Sequence, residues 1–287
     1  MSGERLFFVC NFNIEDNLPE RNTNYLRIIY RAEGPLKAND SSILTLIRNE
    51  YLNPPSSSKY TFTKHPFYKK HSKSLSWSFI HKHLKNLFEN EKRRGFFVEA
   101  GALDGEFLSN TLWLEKYKGW KGLLIEPDTA NFRSLLKKNR KAWTDLKSKL
   151  LYGLWAARGL SYDIKNGFYY EDTSNYHQVY SSIQTFPLES LLLALNVTVV
   201  DFLSLDTQGG EFDILKHFPF GRIKVRTMVV EYYADDTPGK FSSAFVDFVE
   251  RKGFVFVDSS FEPDYFFINK DETKLLRNVK ATFDKKL

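Results

Sequence analysis

The sequence predicts an α/β fold, a doubly wound and mostly parallel sheet closed by an antiparallel hairpin. Two observations carry that expectation. From Gly95 onward, short apolar segments alternate with amphipathic helical ones, which is the pattern of βαβ units with helices on both faces. The last two apolar segments, 254–257 and 265–268, are separated by only seven residues. No crossover helix fits there, so the pair must run antiparallel. The chain has 287 residues, 42% of them hydrophobic and 26% charged. That is enough to bury a full core and is unlike a disordered or low-complexity chain.

Each element has a local reason. Residues 1–35 show no clear periodicity and end in Gly34-Pro35. Asp40 and Ser41 suit a helix cap, with Ile43, Leu44, Ile47 and Tyr51 on one apolar face; Asn53-Pro54-Pro55 stops it. A second helix starts at Ser76 and is expected to end at Gly95, after the basic Lys92-Arg93-Arg94. Strands are expected at 96–100, 121–125, 149–155, 199–205, 225–231, 254–257 and 265–268. Helices are expected at 108–117, 128–139, 187–195, 210–217 and 241–251.

Composition narrows the function classes. The single cysteine, Cys10, excludes an internal disulfide and a cysteine-based metal site. His81 and His83 are two apart on a helix and do not share a face, so no metal site is expected. No apolar run approaches the roughly 18–20 residues needed to cross a bilayer. As written, the chain reads as soluble and cytoplasmic. Net charge is +6, concentrated in two blocks: +8 between Lys59 and Arg94, and +6 between Phe132 and Lys149. Such blocks suit an anionic partner or, more simply, solvated helix faces. No RNP-type pattern or zinc-finger spacing accompanies them, so nucleic acid is not expected.

In doubly wound sheets, ligands bind beyond the carboxyl ends of the strands. Here each of four strands delivers an acid to that edge: Glu99 and Asp104, Glu126, Asp206 and Glu211, and Glu231. The first turn reads Glu99-Ala-Gly101-Ala-Leu-Asp104-Gly105, where glycines allow close backbone approach and acids repel a pyrophosphate. Such a turn suits S-adenosylmethionine, which carries a sulfonium and an ammonium. Glu126 lies 25 residues after Gly101, before Pro127, and suits the two ribose hydroxyls. Glu99, Gly101, Asp104 and Gly105 are the candidates for the methionine end. Asp206 is the candidate base or substrate-placing group, with Glu211 and Glu231 next; helix capping competes for Asp206 and helix-dipole complementarity for Glu211. Ser109-Asn110-Thr111 suit either a cofactor contact or a capped helix start.

The blocks GFFVEAGALDGEFLSNTLWLEKYKGWKGLLIEPD (95–128) and FLSLDTQGGEFDIL (202–215) resemble the FkbM-type methyltransferase family (methyltransferase 21 domain). With DSSILTLIRNEYLNPPSS (40–57), they are closest to its insect Star-like branch. The resemblance implies a class I S-adenosylmethionine-dependent methyltransferase fold, with an N-terminal extension over 1–75 and the methyltransferase domain over 76–287. It implies methyl transfer to a hydroxyl of a small molecule or glycan. The Star-like branch implies an alternative: a non-catalytic trafficking factor for growth-factor precursors between endoplasmic reticulum and Golgi, membrane-anchored and with a secretory-pathway protein partner. Two departures from the family pattern are Gln208, where an acid is common, and the segment YGLWAARG (152–159).

Overall fold

The computed structural model describes residues 37–63, 78–145, 160–163, 168–171, 186–207, 209–233, 240–260 and 264–283. The elements, in chain order, are α1 (Ser41–Leu46, running on into a π turn, Ile47–Tyr51), β1 (Leu52–Asn53), α2 (Ser78–Phe88), β2 (Phe96–Ala100), α3 (Leu112–Lys118) and β3 (Lys121–Ile125). Then come α4 (Thr129–Lys137), β4 (Trp143–Asp145), β5 (Leu160–Asp163), β6 (Phe168–Glu171), α5 (Leu188–Ala194), β7 (Val199–Leu205) and α6 (Glu211–His217). The chain finishes with β8 (Lys224–Glu231), α7 (Ser243–Arg251), β9 (Phe254–Ser259), β10 (Asp264–Asn269) and α8 (Thr273–Phe283).

Eight strands form one sheet in the order β1-β4-β3-β2-β7-β8-β10-β9. Strands β4, β3, β2, β7 and β8 are mutually parallel. β10 runs antiparallel to both β8 and β9, which is the expected closing hairpin. This is the class I methyltransferase strand order, with β1 added antiparallel to β4. β5 and β6 form a separate antiparallel pair.

Alternation along the strands divides the core in two. Val98, Ala100, Leu123, Ile125, Leu203 and Leu205 face the layer of α1, α5, α6 and α7. Phe97, Leu124, Phe202, Val229 and Phe266 face the layer of α2, α3, α4 and α8. Large aromatics fill both layers: Phe88, Phe97, Phe202 and Phe266 are fully buried in the second, and Tyr265 and Phe267 in the first. Leu46, Ile47, Tyr51 and Leu52 belong to the first of these layers, so the segment expected as an extension packs into the same core as the sheet.

Several expectations shift. The third parallel strand is Trp143–Asp145; the segment 149–155 lies outside the described residues. α2 stops at Phe88 rather than at Gly95. Gly95 has a packing reason instead: a Cβ there would press into the Trp120 ring and the Asp201 carboxylate. The sequence reading also lacked α8, whose Leu275 seals the second layer.

At the amino edge of the sheet, Asp201 is a buried hub. It accepts from the Phe96 amide at 2.7 Å and from Arg226 Nη1 at 2.9 Å, and it pairs with Arg93. Arg226 continues to Glu272 at 2.8 Å. Removing one partner of a buried ion pair leaves the other charge uncompensated. Here Arg226 keeps Glu272 and Arg93 reaches water, so Asp201→Ala chiefly leaves the Phe96 amide without its acceptor and is expected to cost about 1–3 kcal/mol, read as a lower urea midpoint with an unchanged slope.

Candidate active site

The carboxyl edge of the parallel strands gathers the loops after β2, β3, β7 and β8. The first of these, 101–111, opens on Gly101 at φ 89°. A Cβ there would collide with the Asp206 carbonyl oxygen, and the Asp206 amide donates to the Ala100 carbonyl at 3.0 Å. Glycine at 101 thus lets the β2 and β7 loops cross in contact. Gly105, at φ 73°, lies against the Leu135 side chain of α4 in the same way.

Glu126 directly follows β3 and is 1% exposed. Its Oε2 accepts from the Leu103 amide at 2.7 Å and its Oε1 from the Asp128 amide at 2.8 Å. Burial pushes its carboxyl up to about 8, against the pull of those two amides. Pro127 follows, half-buried.

Glu99 and Asp104 lie behind the loop. Glu99 Oε2 accepts from Ser109 at 2.8 Å and from Thr111, and its Oε1 from the Asn110 amide at 2.6 Å. Burial pushes its carboxyl up, and Arg140 pulls it down. Asp104 Oδ1 accepts from the Glu106 and Phe107 amides, at 2.9 and 2.7 Å, while Oδ2 pairs with Lys138 at 3.2 Å. Both carboxylates are thus taken up in shaping the loop. Ser109, Asn110 and Thr111 serve Glu99, and Thr111 makes no side-chain cap on α3.

The other acids meet across β7, β8 and β10. Glu211 is buried, and its oxygens accept from the Thr207 amide, the Thr207 hydroxyl at 2.8 Å and the Gly209 amide at 2.9 Å. It closes its own loop at the start of α6, and burial pushes its carboxyl up. Asp206 makes no cap on α6, whose N-cap is Gly210. It hydrogen-bonds Glu231 instead. Glu231 faces Asp264 in register across β8 and β10 and accepts from the Tyr233 hydroxyl at 3.4 Å. Burial, then the charges of Asp206, Asp264 and Glu211, push Glu231 up to about 10. It therefore holds its proton at neutral pH and donates it toward Asp206. Asp264, the fourth acid here, was not among the sequence candidates; its register opposite Glu231 was the signal that revealed it.

Arg133 and Lys137 of the second basic block are exposed, as solvated helix faces require, but two of its residues are not. Lys138 and Arg140 are 5% and 3% exposed. Arg140 Nε donates to Glu115 at 3.0 Å, and Lys138 pairs with Glu106 at 2.6 Å. They neutralise buried acids of the first loop and of α3. Gln208 and the segment 152–159 lie outside the described residues. Among the described residues, no cluster of three or more His, Cys, Asp or Glu side chains is placed to hold a metal ion, and no helix is long and apolar enough to cross a membrane.

A sequence model of the methyltransferase FkbM domain matches residues 99–256, from the Glu99 turn to β9. The chain belongs to the FkbM methyltransferase family. That domain uses S-adenosylmethionine as methyl donor. No curated protein sequence matches the chain. Solved structures with some likeness include a METTL16 methyltransferase domain, at 12% identity over 82% of this chain and 83% of that one, with a TM-score of 0.42. Another is the magnesium protoporphyrin IX methyltransferase ChlM of Synechocystis PCC 6803 with bound S-adenosylmethionine, at 9% identity over 81% and 96%, with a TM-score of 0.35. A third is the N-terminal domain of human METTL16 with S-adenosylhomocysteine, at 11% identity over 80% of each chain, with a TM-score of 0.34.

The donor set at this edge of the FkbM domain fits the cofactor. Its ribose hydroxyls are donors and its methionine end carries cations, and this edge offers the carboxyl oxygens of Glu126, Asp206 and Glu231 beside a glycine turn.

Two outcomes follow for the empty protein. Gly101→Ala forces a left-handed backbone and a collision with Asp206, and it is expected to lower stability by roughly 2 kcal/mol or more in thermal unfolding. Glu126 is raised from 4.5 to about 8 on folding, so the folded chain keeps a proton that the unfolded chain releases. Its contribution is present below about pH 4.5 and is lost as pH rises to about 8. Glu126→Gln is expected to flatten that part of the stability profile, measured by denaturation from pH 5 to 9.

Proposed function

We propose that the chain transfers a methyl group from S-adenosylmethionine to a hydroxyl oxygen of a small molecule or glycan. The observation that carries this reading is the contact of Gly101 with Asp206. It sets the loop assigned to the cofactor directly against the Asp206–Glu231 pair. In the proposed roles, Gly101, Gly105, Glu126 and Pro127 lie against the cofactor. Glu99 and Asp104 fix the loop that carries the two glycines.

The bound cofactor supplies a methyl group already activated on a sulfonium. The protein must align the acceptor oxygen and take its proton. Asp206 is the proposed base, since Glu231 beside it is protonated and orients it by a hydrogen bond. Glu211 holds the loop on which Asp206 stands. Alignment supplies most of the barrier reduction, and the base adds about 10²–10⁴-fold.

Calorimetric titration of S-adenosylmethionine into the purified chain tests the cofactor half. Micromolar binding is expected, lost in Glu126→Ala and weakened in Asp104→Ala. No binding by the folded wild-type chain would overturn the enzyme reading and leave the fold as a scaffold for a protein partner, the role that Star-like likeness implies. Once an acceptor hydroxyl is found by screening with labelled cofactor, Asp206→Asn is expected to lower turnover by about 10²–10⁴-fold with cofactor affinity little changed.

A further inference from the structure

The turn after α4, residues 138–141, carries two buried cations that the roles above leave unused. Arg140 presents its whole fork to the first loop and its surroundings. Nε donates to Glu115 at 3.0 Å. Nη1 donates to the Gly105 carbonyl and to Ser109 Oγ, the latter at 3.1 Å, and Nη2 donates to Thr111 Oγ1 at 3.2 Å. Ser109 and Thr111 pass the connection on to Glu99. Lys138 holds Asp104 and Glu106 from the same turn; burial pulls its ammonium down, but the two carboxylates outweigh it and the net shift is up.

We propose that Arg140 is a positioning residue for S-adenosylmethionine, clamping 105–111 against Glu99 so that the glycine turn meets the cofactor in one geometry. The proposal rests on the cofactor reading above. Two nitrogens of the fork reach three partners on the loop while the third holds Glu115, which suits a forked guanidinium and not a point charge. The turn that carries the fork is itself held from outside. Residues 54–63 form a strap along it: the Ser56 amide donates to the Arg140 carbonyl and the Thr61 amide to the Lys138 carbonyl, each at 3.1 Å. Lys141 Nζ donates to the Ser56 carbonyl at 2.8 Å. Tyr60 hydrogen-bonds Glu115, the carboxylate on Arg140 Nε, and burial and that charge push its phenol up. The Thr63 amide donates to the Glu106 carboxylate at 2.9 Å. The strap lies outside the matched residues 99–256, so the geometry of the cofactor loop depends on chain that the family domain does not include.

A purely structural arginine and a positioning one differ in a measurable way. Loss of the first lowers stability and leaves the affinity of the folded fraction unchanged. Loss of the second lowers affinity as well. Cofactor affinity by calorimetry and amide hydrogen exchange without cofactor are to be measured on folded Arg140→Met, Arg140→Lys and Tyr60→Phe. Arg226→Met, at the opposite edge, is the control for lost stability. Arg140→Met is expected to raise Kd about 10- to 100-fold, by analogy with the loss when a partner that orients a metal ligand is removed. Exchange at 105–111 is expected at least tenfold faster, with β7 and β8 amides unchanged. Arg140→Lys keeps the charge against Glu115 and is expected to regain thermal stability but little affinity. Tyr60→Phe, which removes one outer hydrogen bond and folds most easily, is expected to raise Kd roughly threefold. Wild-type affinity in folded Arg140→Met overturns the proposal, as does an equal loss in Arg226→Met. If the wild-type chain binds no cofactor, the cofactor reading fails and exchange decides alone: unchanged rates at 105–111 overturn the clamp, and faster rates confined there support it.

Discussion

Buried carboxylates at the carboxyl edge of the sheet are the constraint from which the rest of this architecture follows. Glu99, Asp104, Glu115, Glu126 and Glu211 are all nearly inaccessible to water, and each would be costly to bury uncompensated. The protein compensates them in two chemically distinct ways. Behind the first loop, Lys138 and Arg140 neutralise Asp104, Glu106 and Glu115 with charge, and Arg140 reaches Glu99 through Ser109 and Thr111. At the opening between the strands, Glu126 and Glu211 are met by backbone amides, and Glu231 keeps its proton beside Asp206. Fixed cations therefore stand behind the loop, while the acids at the opening are stabilised by groups that carry no full charge. A cationic ligand adds to the second set what the first set already has.

The fold was legible because its signals are local and repeated. A run such as Val199–Leu205 carries large apolar residues on both faces, as a central strand does. Seven residues between β9 and β10 leave one pairing direction, and the Glu-x-Gly-x-x-Asp-Gly turn announces a ligand edge. The elements that were misread carry weak or misleading local signals. β4 is only three residues, and its Trp-Thr-Asp sequence sits inside a basic block that hides it. Gly95 has the look of a helix stop but is needed for contact with Trp120. α8 has no glycine or proline to mark its ends and shows itself only where Leu275 meets the second core layer.

At the candidate site, residue types were legible and their division of labour was not. Spacing brought Glu99, Asp104 and Glu126 to one edge, but nothing in spacing says which carboxylate faces a ligand and which faces the protein. That depends on partners distant in sequence. Glu99 is engaged by residues 10 to 12 positions later, and the cation that lowers its carboxyl comes from the far side of α4. The same long-range pairing turned two residues of an apparent surface block (132–149), Lys138 and Arg140, into the internal counter-charge of the first loop. The balance was visible in principle: acids at 99, 104, 106 and 115 precede basic residues at 138, 140 and 141 in nearly matching number. What was missing was the βαβ geometry that returns the end of α4 beneath the loop where α3 begins.

That geometry also explains why the segment before the family domain belongs to the machinery. The turn 138–141 joins the end of α4 to β4 beneath the first loop and has no helix or strand of its own to stiffen it. Its backbone is held instead by the strap, through the Arg140 and Lys138 carbonyls, and β1 pairs with β4 immediately upstream of that strap. The same short stretch, 52–63, thus finishes the sheet on one side and fixes the turn bearing Arg140 on the other. A long cation is only as well placed as the backbone that carries it, since both the guanidinium fork and its carboxylate partners are rigid. The glycine turn is therefore held in layers, from the strap to the turn 138–141, from that turn to Arg140, and from Arg140 to the loop residues that engage Glu99.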